Sequence, residues 1–238
     1  MTAGHQARRP CSKRSYSLLL RGVADAVPLV CALAGRRNSF YARATMLDTH
    51  THKYFQPLFN FVARLCLRYG ISANTLTIAG LGLGLFAAFL VLCKQAPLGI
   101  AVLWLSGLLD AADGTLARMT RSSPLGAIMD ITFDRVVEVA MILALAWCYP
   151  EARMSLLLLT AVIVVAMSLF LSIGAALVNH SAKSFYYAPG LAERSEGFIF
   201  LSLMALNPNH LVLWTLLFTA AIVVTMVQRF KQVRAALD

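Results

Sequence analysis

Uninterrupted apolar stretches of about twenty residues recur along this chain, and segments of that length constrain the fold more than any other feature. A helix of about twenty residues rises about 30 Å, the thickness of a bilayer's hydrocarbon core. In that medium every backbone N–H and C=O must find its partner within the protein, which leaves helices or a closed barrel. A barrel needs short strands of alternating polarity, and the sequence has none. The composition agrees, with 59% of residues hydrophobic and 13% charged, where soluble domains carry far more charge. The expected fold class is an all-α, polytopic membrane protein.

Six transmembrane helices are expected, at about 74–93, 98–116, 126–147, 154–178, 191–206 and 211–227. Gly80, Gly82 and Gly84 offer the first span a small face for close helix contact. An amphipathic stretch from Lys53 to Tyr69 precedes it, with Phe55, Leu58, Phe59, Val62, Leu65, Cys66 and Tyr69 on one face. It reads as an interfacial helix, ended by Gly70, with Ser72 as N-cap of the next helix. The loops at 94–97, 149–153 and 207–210 hold few cations, whereas the opposite loops hold Arg118, Arg121, Lys183 and Arg194. Both termini are then cytoplasmic, in a bacterial inner membrane. This topology also accounts for the net charge of +10, which favours anionic lipid head groups rather than nucleic acid. Five scattered cysteines give neither a disulfide framework nor a zinc site, and Cys66 and Cys93 read as small apolar fillers. Residues 1–45 carry eight Arg or Lys against Asp25 alone. They read as a basic extension that is disordered, targeting or mis-annotated, with Met46 a candidate start and 46–238 the membrane domain.

Four aspartates sit inside the second and third spans, where an isolated charge is costly. Asp110 and Asp113 share one helix face by their spacing of three, and Asp130 and Asp134 share another by their spacing of four. The short polar turn between the spans makes antiparallel neighbours of the two helices. Counted from that turn, Asp113 and Asp130 form a shallow layer and Asp110 and Asp134 a deeper one, about 6–12 Å below the cytoplasmic ends. Carboxylates so close repel one another unless some stay protonated or a divalent cation binds. All-oxygen ligation suits Mg²⁺ or Mn²⁺, which take a few carboxylates together with substrate phosphates. Gly114 and Gly126 leave room for a bulky group between the helices, and Arg118 stands at the mouth to hold a phosphate.

Asp110-Ala-Ala-Asp113-Gly114-Thr-Leu-Ala117-Arg118 followed by Gly126-Ala-Ile-Met-Asp130-Ile-Thr-Phe-Asp134 resembles the signature of the CDP-alcohol phosphatidyltransferases, DxxDGxxAR…GxxxDxxxD. All eight signature residues are present, and the seven-residue spacer from Met119 to Leu125 is one shorter than usual. The resemblance extends over about 53–231. It implies transfer of a phosphatidyl group from CDP-diacylglycerol to an acceptor alcohol, with release of CMP, by a homodimer among membrane lipids. It also implies that Asp110, Asp113 and Asp130 bind metal, two Mg²⁺ or Mn²⁺ ions in the family's manner, and that Asp134 both contributes to that site and serves as general base. Gly114, Ala117 and Gly126 would let the nucleotide approach. Asn74 and Thr77, at the cytoplasmic end of the first span, are candidate nucleotide contacts, although Asn74 also suits a helix start. Arg194 is a candidate for a phosphorylated acceptor, with pairing to Glu193 or Glu196 the plainer alternative. Glycerol 3-phosphate is the first expectation for the acceptor, ahead of a lipid hydroxyl, serine or an inositol phosphate.

The competing class is a divalent-cation transporter with the aspartates as transit ligands. It would spread carboxylates through several spans, and the stretch from Met154 to Val178 has no charge. Because 1–45 holds no signature residue, a protein beginning at Met46 is expected to insert and turn over like the full chain. CMP release by the two purified forms checks this, and loss of most activity in a well-folded truncation would refute it.

Overall fold

The computed structural model describes residues 46–120, 123–178 and 194–237, all without strand. The basic extension at 1–45 and the first residues of the fifth expected span lie outside them. Seven α-helices follow in order: α1 Met46–Arg68, α2 Ala73–Leu92, α3 Ala96–Met119, α4 Pro124–Cys148, α5 Arg153–Val178, α6 Arg194–Leu206 and α7 Leu211–Leu237. Single 3₁₀ turns, Pro150–Ala152 and Pro208–His210, lead into α5 and α7.

Local chemistry explains where these helices start and stop. Gly70 closes α1 at φ +69°, a left-handed conformation that suits glycine. Its N–H reaches the Leu67 carbonyl and that of Ile71 reaches Cys66, which satisfies two of the last carbonyls of the helix. Ser72 then caps α2 by accepting from the Thr75 N–H at 3.2 Å. That cap belongs to Ser72, so Asn74 is not needed as a helix start. Ser123 caps α4 in the same way, accepting from the Gly126 N–H at 3.0 Å.

α1 is longer than the sequence pattern indicated, and its apolar residues divide between two faces. Ala63 and Cys66 are buried against Leu76, Ala112 and Leu116 of α2 and α3, with Val62 packed beside them. Leu58, Leu65 and Tyr69, expected on that same face, are exposed. Cys66 fills space as anticipated, but Cys93 is exposed at the end of α2.

Among the described residues, four segments are long and apolar enough to cross a membrane: Ala73–Leu92, Ala96–Met119, Pro150–Ala175 and Pro208–Arg234. Two of the six expected spans are not among them. α4 has the length, at 25 residues, but Asp130, Asp134, Arg135 and Glu138 interrupt its apolar character. α6 has only 13 residues.

α2 is the helix on which the site is built. It packs along both α3 and α4, whereas α3 and α4 do not pack closely on each other, contrary to their expected side-by-side pairing. The glycines of α2 and α3 explain the arrangement. A Cβ on Gly84 would lie 2.3 Å from Val137 Cγ2 of α4, and one on Gly99 would lie 2.9 Å from the Ala87 carbonyl oxygen. Gly80 takes the Ser106 hydroxyl on its carbonyl at 2.7 Å, tying α2 to α3 one turn before Asp110. Gly82, expected on the same small face, meets nothing within 4 Å and lies on the other side of the helix. α6 closes over α3 through Phe198, whose ring packs at a tilt against Trp104, 6.0 Å between centroids, and covers Gly107.

The contact at Gly84 makes a quantitative expectation. Gly84→Ala should cost about 1–3 kcal/mol of stability through overpacking against Val137, whereas Gly82→Ala should be neutral or gain up to about 1 kcal/mol from helix propensity. Adding Val137→Ala to Gly84→Ala should recover most of the loss. Unfolding of the four proteins in one detergent is the measurement.

Candidate active site

The last three turns of α3 and the first three of α4 bring the carboxylates together. Asp110 and Asp113 are buried on α3, at 9% and 4% exposure, and Asp130 is half-buried on α4. One oxygen from each lies within 4.8 Å of the other two. Asp134, expected in the same ligand set, falls outside this group. It stands one turn further along α4 and lines two neighbouring spaces. The smaller is a narrow recess shared with Thr77, Gly80, Ser106 and Asp110. The larger is a cavity of ≈ 290 Å³ bounded by α4, α5, α6 and α7, with Asp130 also on its wall.

A divalent cation suits the three-carboxylate group. Its donors are all oxygen, they converge from two helices, and their mutual repulsion is relieved by positive charge rather than by solvent. Asp110, Asp113 and Asp130 would hold such an ion, whose chemistry is to neutralise phosphate charge.

The remaining candidates take these positions. Asn74 is beside Gly126: a Cβ on that glycine would lie 3.2 Å from the Asn74 Oδ1 and 3.1 Å from the Ser123 Oγ. Thr77 is buried and donates to the Ala73 carbonyl at 3.0 Å. Gly114 has open space around it, the nearest atom to an added Cβ being Arg118 Nη1 at 3.7 Å. Arg118 is exposed and donates through Nη2 to the Thr115 hydroxyl at 3.0 Å. Ala117 is half-buried one residue before it. Arg194 is the first residue of α6, and its side chain lies outside the described structure.

Three features were not singled out by sequence reasoning. The cavity itself is one, since its walls come from helices far apart in the chain. Glu138 is another: it is 7% exposed, lines the cavity and forms an ion pair with Arg135. In the sequence Glu138 was weighed only as one of two acids, with Asp134, that Arg135 could neutralise, and the spacing of three was the signal for it. The third is Arg229 of α7, which lines the same cavity with its guanidinium 5.0 Å from the centre of the Phe170 ring. In the sequence it was absorbed into a basic C-terminal cluster.

Comparison with known proteins agrees with this site. The family model for CDP-alcohol phosphatidyltransferase matches residues 71–228. The inner membrane protein YnjF of Escherichia coli is 31% identical over 68% of this chain and 83% of its own length. The phosphatidylinositol phosphate synthase of Corynebacterium glutamicum is 30% identical over 77% of this chain and 87% of its own. Crystal structures of the Mycobacterium tuberculosis phosphatidylinositol phosphate synthase superpose with a TM-score of 0.60. The form with CDP-DAG bound is 25% identical over 74% of this chain and 94% of that one. The form in complex with manganese and citrate is 26% identical over 74% and 88%. With the signature residues gathered on α3 and α4, the chain belongs to the CDP-alcohol phosphatidyltransferase family of phospholipid-synthesising enzymes.

Proposed function

We propose that this protein transfers the phosphatidyl group of CDP-diacylglycerol to a hydroxyl of an inositol phosphate, releasing CMP. The observation that carries the reaction class is the convergence of the Asp110, Asp113 and Asp130 oxygens within 4.8 Å beside a cavity that Asp134 lines. The acceptor follows from relatives named phosphatidylinositol phosphate synthase and archaetidylinositol phosphate synthase, the last in Pyrococcus horikoshii. They support an inositol phosphate over glycerol 3-phosphate. Nothing favours a cation transporter, since the carboxylates are gathered on two helices, α3 and α4, and α5 from Met154 to Val178 has no charged residue.

In this reading Asp110, Asp113 and Asp130 hold Mg²⁺ or Mn²⁺, two ions with Asp134 assisting, and these neutralise the diphosphate when bound. Gly114, Ala117 and Gly126 leave the nucleotide and diphosphate free to approach the backbone, with Asn74, Thr77 and Arg118 as their polar contacts. Asp134 accepts the proton of the acceptor hydroxyl. Its oxygen then attacks the phosphorus on the lipid side of the diphosphate, and the bond to CMP breaks with its electron pair. The position of Asp134 on the cavity wall, outside the three-carboxylate group, supports this division of labour. Arg194 receives the acceptor's phosphate.

The surrounding architecture is read in the same way. Residues 46–238 form one membrane domain, with α1 lying in the interface and its exposed Leu58, Phe61, Leu65 and Tyr69 against lipid. α4 and α6 complete six spans, because the charges of α4 line the cavity rather than the lipid face. The protein is an inner-membrane homodimer whose termini and site are cytoplasmic.

Three outcomes are expected. With CDP-diacylglycerol and a panel of alcohols, CMP release should be fastest with an inositol phosphate. Preference for glycerol 3-phosphate or serine would refute the acceptor. Removal of metal should abolish turnover, and Mg²⁺ or Mn²⁺ should restore it. Asp134→Asn should lower turnover by about 10²–10⁴-fold while retaining metal-dependent CDP-lipid binding, whereas Asp113→Asn should lose both. Equal loss of binding in the two variants would make Asp134 mainly a ligand.

A further inference from the structure

Along α4, Asp130, Asp134 and Glu138 recur at every fourth residue with Arg135 among them, and all four line the one cavity. Arg135 follows directly on Asp134. It carries a long flexible stem and a guanidinium that does not lose its proton. Among the groups lining the cavity, the strongest attraction for that guanidinium is a nearby carboxylate. Were it to settle on Asp134 or Asp130, it would occupy the ligand oxygens and oppose a divalent ion.

The structure provides it with another partner. Arg135 Nη1 pairs with Glu138 Oε2, one turn further from the three-carboxylate group. The Glu138 side chain is 9% exposed and that of Arg135 35%. The other Glu138 oxygen faces α6, 4.0 Å from where a Cβ on Gly197 would stand. Glu138 is therefore held between α4 and the first turn of α6, and it holds Arg135 in turn. It belongs neither to the family signature nor to the group that converges within 4.8 Å.

We propose that Glu138 is a positioning residue: by fixing the Arg135 guanidinium one turn along α4, it keeps that cation from competing with metal for the aspartates. The inference rests on the reading of Asp110, Asp113 and Asp130 as metal ligands.

Direct Mn²⁺ binding to the purified full-length protein, without substrate, tests it. Glu138→Gln should weaken Mn²⁺ binding by about 10–100-fold, the range for groups that orient ligands. Arg135→Gln should leave affinity within about threefold of wild type, because the guanidinium is already held away. Arg135→Gln/Glu138→Gln, with no cation left to hold, should also bind within about threefold of wild type.

Three results would overturn the proposal. One is unchanged affinity in Glu138→Gln. Another is a double variant as weak as Glu138→Gln, which places the loss in distorted geometry. The third is Arg135→Gln tightening Mn²⁺ binding by the factor that Glu138→Gln weakens it, which reduces both residues to additive field effects. If Glu138→Gln does not yield monodisperse protein, the double variant carries the test, since it leaves no charge of this pair unmatched. A tenfold loss there would refute the proposal. Absence of Mn²⁺ binding by the wild type would refute the metal reading itself, an outcome distinct from these three.

Discussion

Close approach of backbones at Gly80, Gly84 and Gly99 determines where everything else in the site can be. α2 is flanked by α3 on one side and α4 on another, and each contact is made where a side chain is missing. Small residues allow such approach, and van der Waals contact over many atoms then replaces the hydrophobic drive that a bilayer does not supply. Because α2 holds both partners, α3 and α4 need not touch each other along their lengths. One carboxylate oxygen from each of Asp110, Asp113 and Asp130 nevertheless comes within 4.8 Å of the other two.

Charge within this framework is distributed by helix. α5 has no charged residue from Met154 to Val178, and it contributes only apolar wall to the cavity through Ile163, Ala166, Met167 and Phe170. α3 contributes two buried aspartates, and α4 contributes three acids and an arginine. The cavity thus has one polar wall and several apolar ones, with Arg229 entering from α7 against Phe170. A site of this kind discriminates through few polar contacts in fixed places, since the rest of its lining is indifferent to hydrogen-bonding pattern.

Much of this was legible in the sequence because it rests on local rules. Helical class, the turn at Gly70, the cap at Ser72 and the grouping of Asp110, Asp113 and Asp130 all follow from spacing, capping chemistry or apolar run length. What failed required knowledge of a third body. Gly82 was grouped with Gly80 and Gly84 by composition, yet it points away from both partners of α2. α3 and α4 were taken as neighbours because a short turn joins them, and α2 was not considered as the helix that holds them apart. Which part of the apolar face of α1 packs on α2 and α3 was not legible either, because Leu58 and Leu65 look as apolar in the sequence as Ala63 and Cys66, which are the ones buried. Arg229 and the cavity wall opposite Asp134 depend on helices that come later in the chain, from Ile163 on α5 to Arg229 on α7, and no periodicity reports that.

The Arg135–Glu138 pair has a bearing on biogenesis. A helix delivered to a bilayer is judged residue by residue, and each central charge adds about 2.5–3.5 kcal/mol to the cost of insertion. α4 carries four charged residues, but its two most interior ones are an acid and a base one turn apart on the same helix. They can meet as soon as that helix forms, before any neighbour is present, and on the proposed six-span reading they would enter the membrane as a neutral pair. Asp130 and Asp134 lie nearer its start, in the first three turns. The segment is thereby suited to integration ahead of the tertiary contacts that will later surround it.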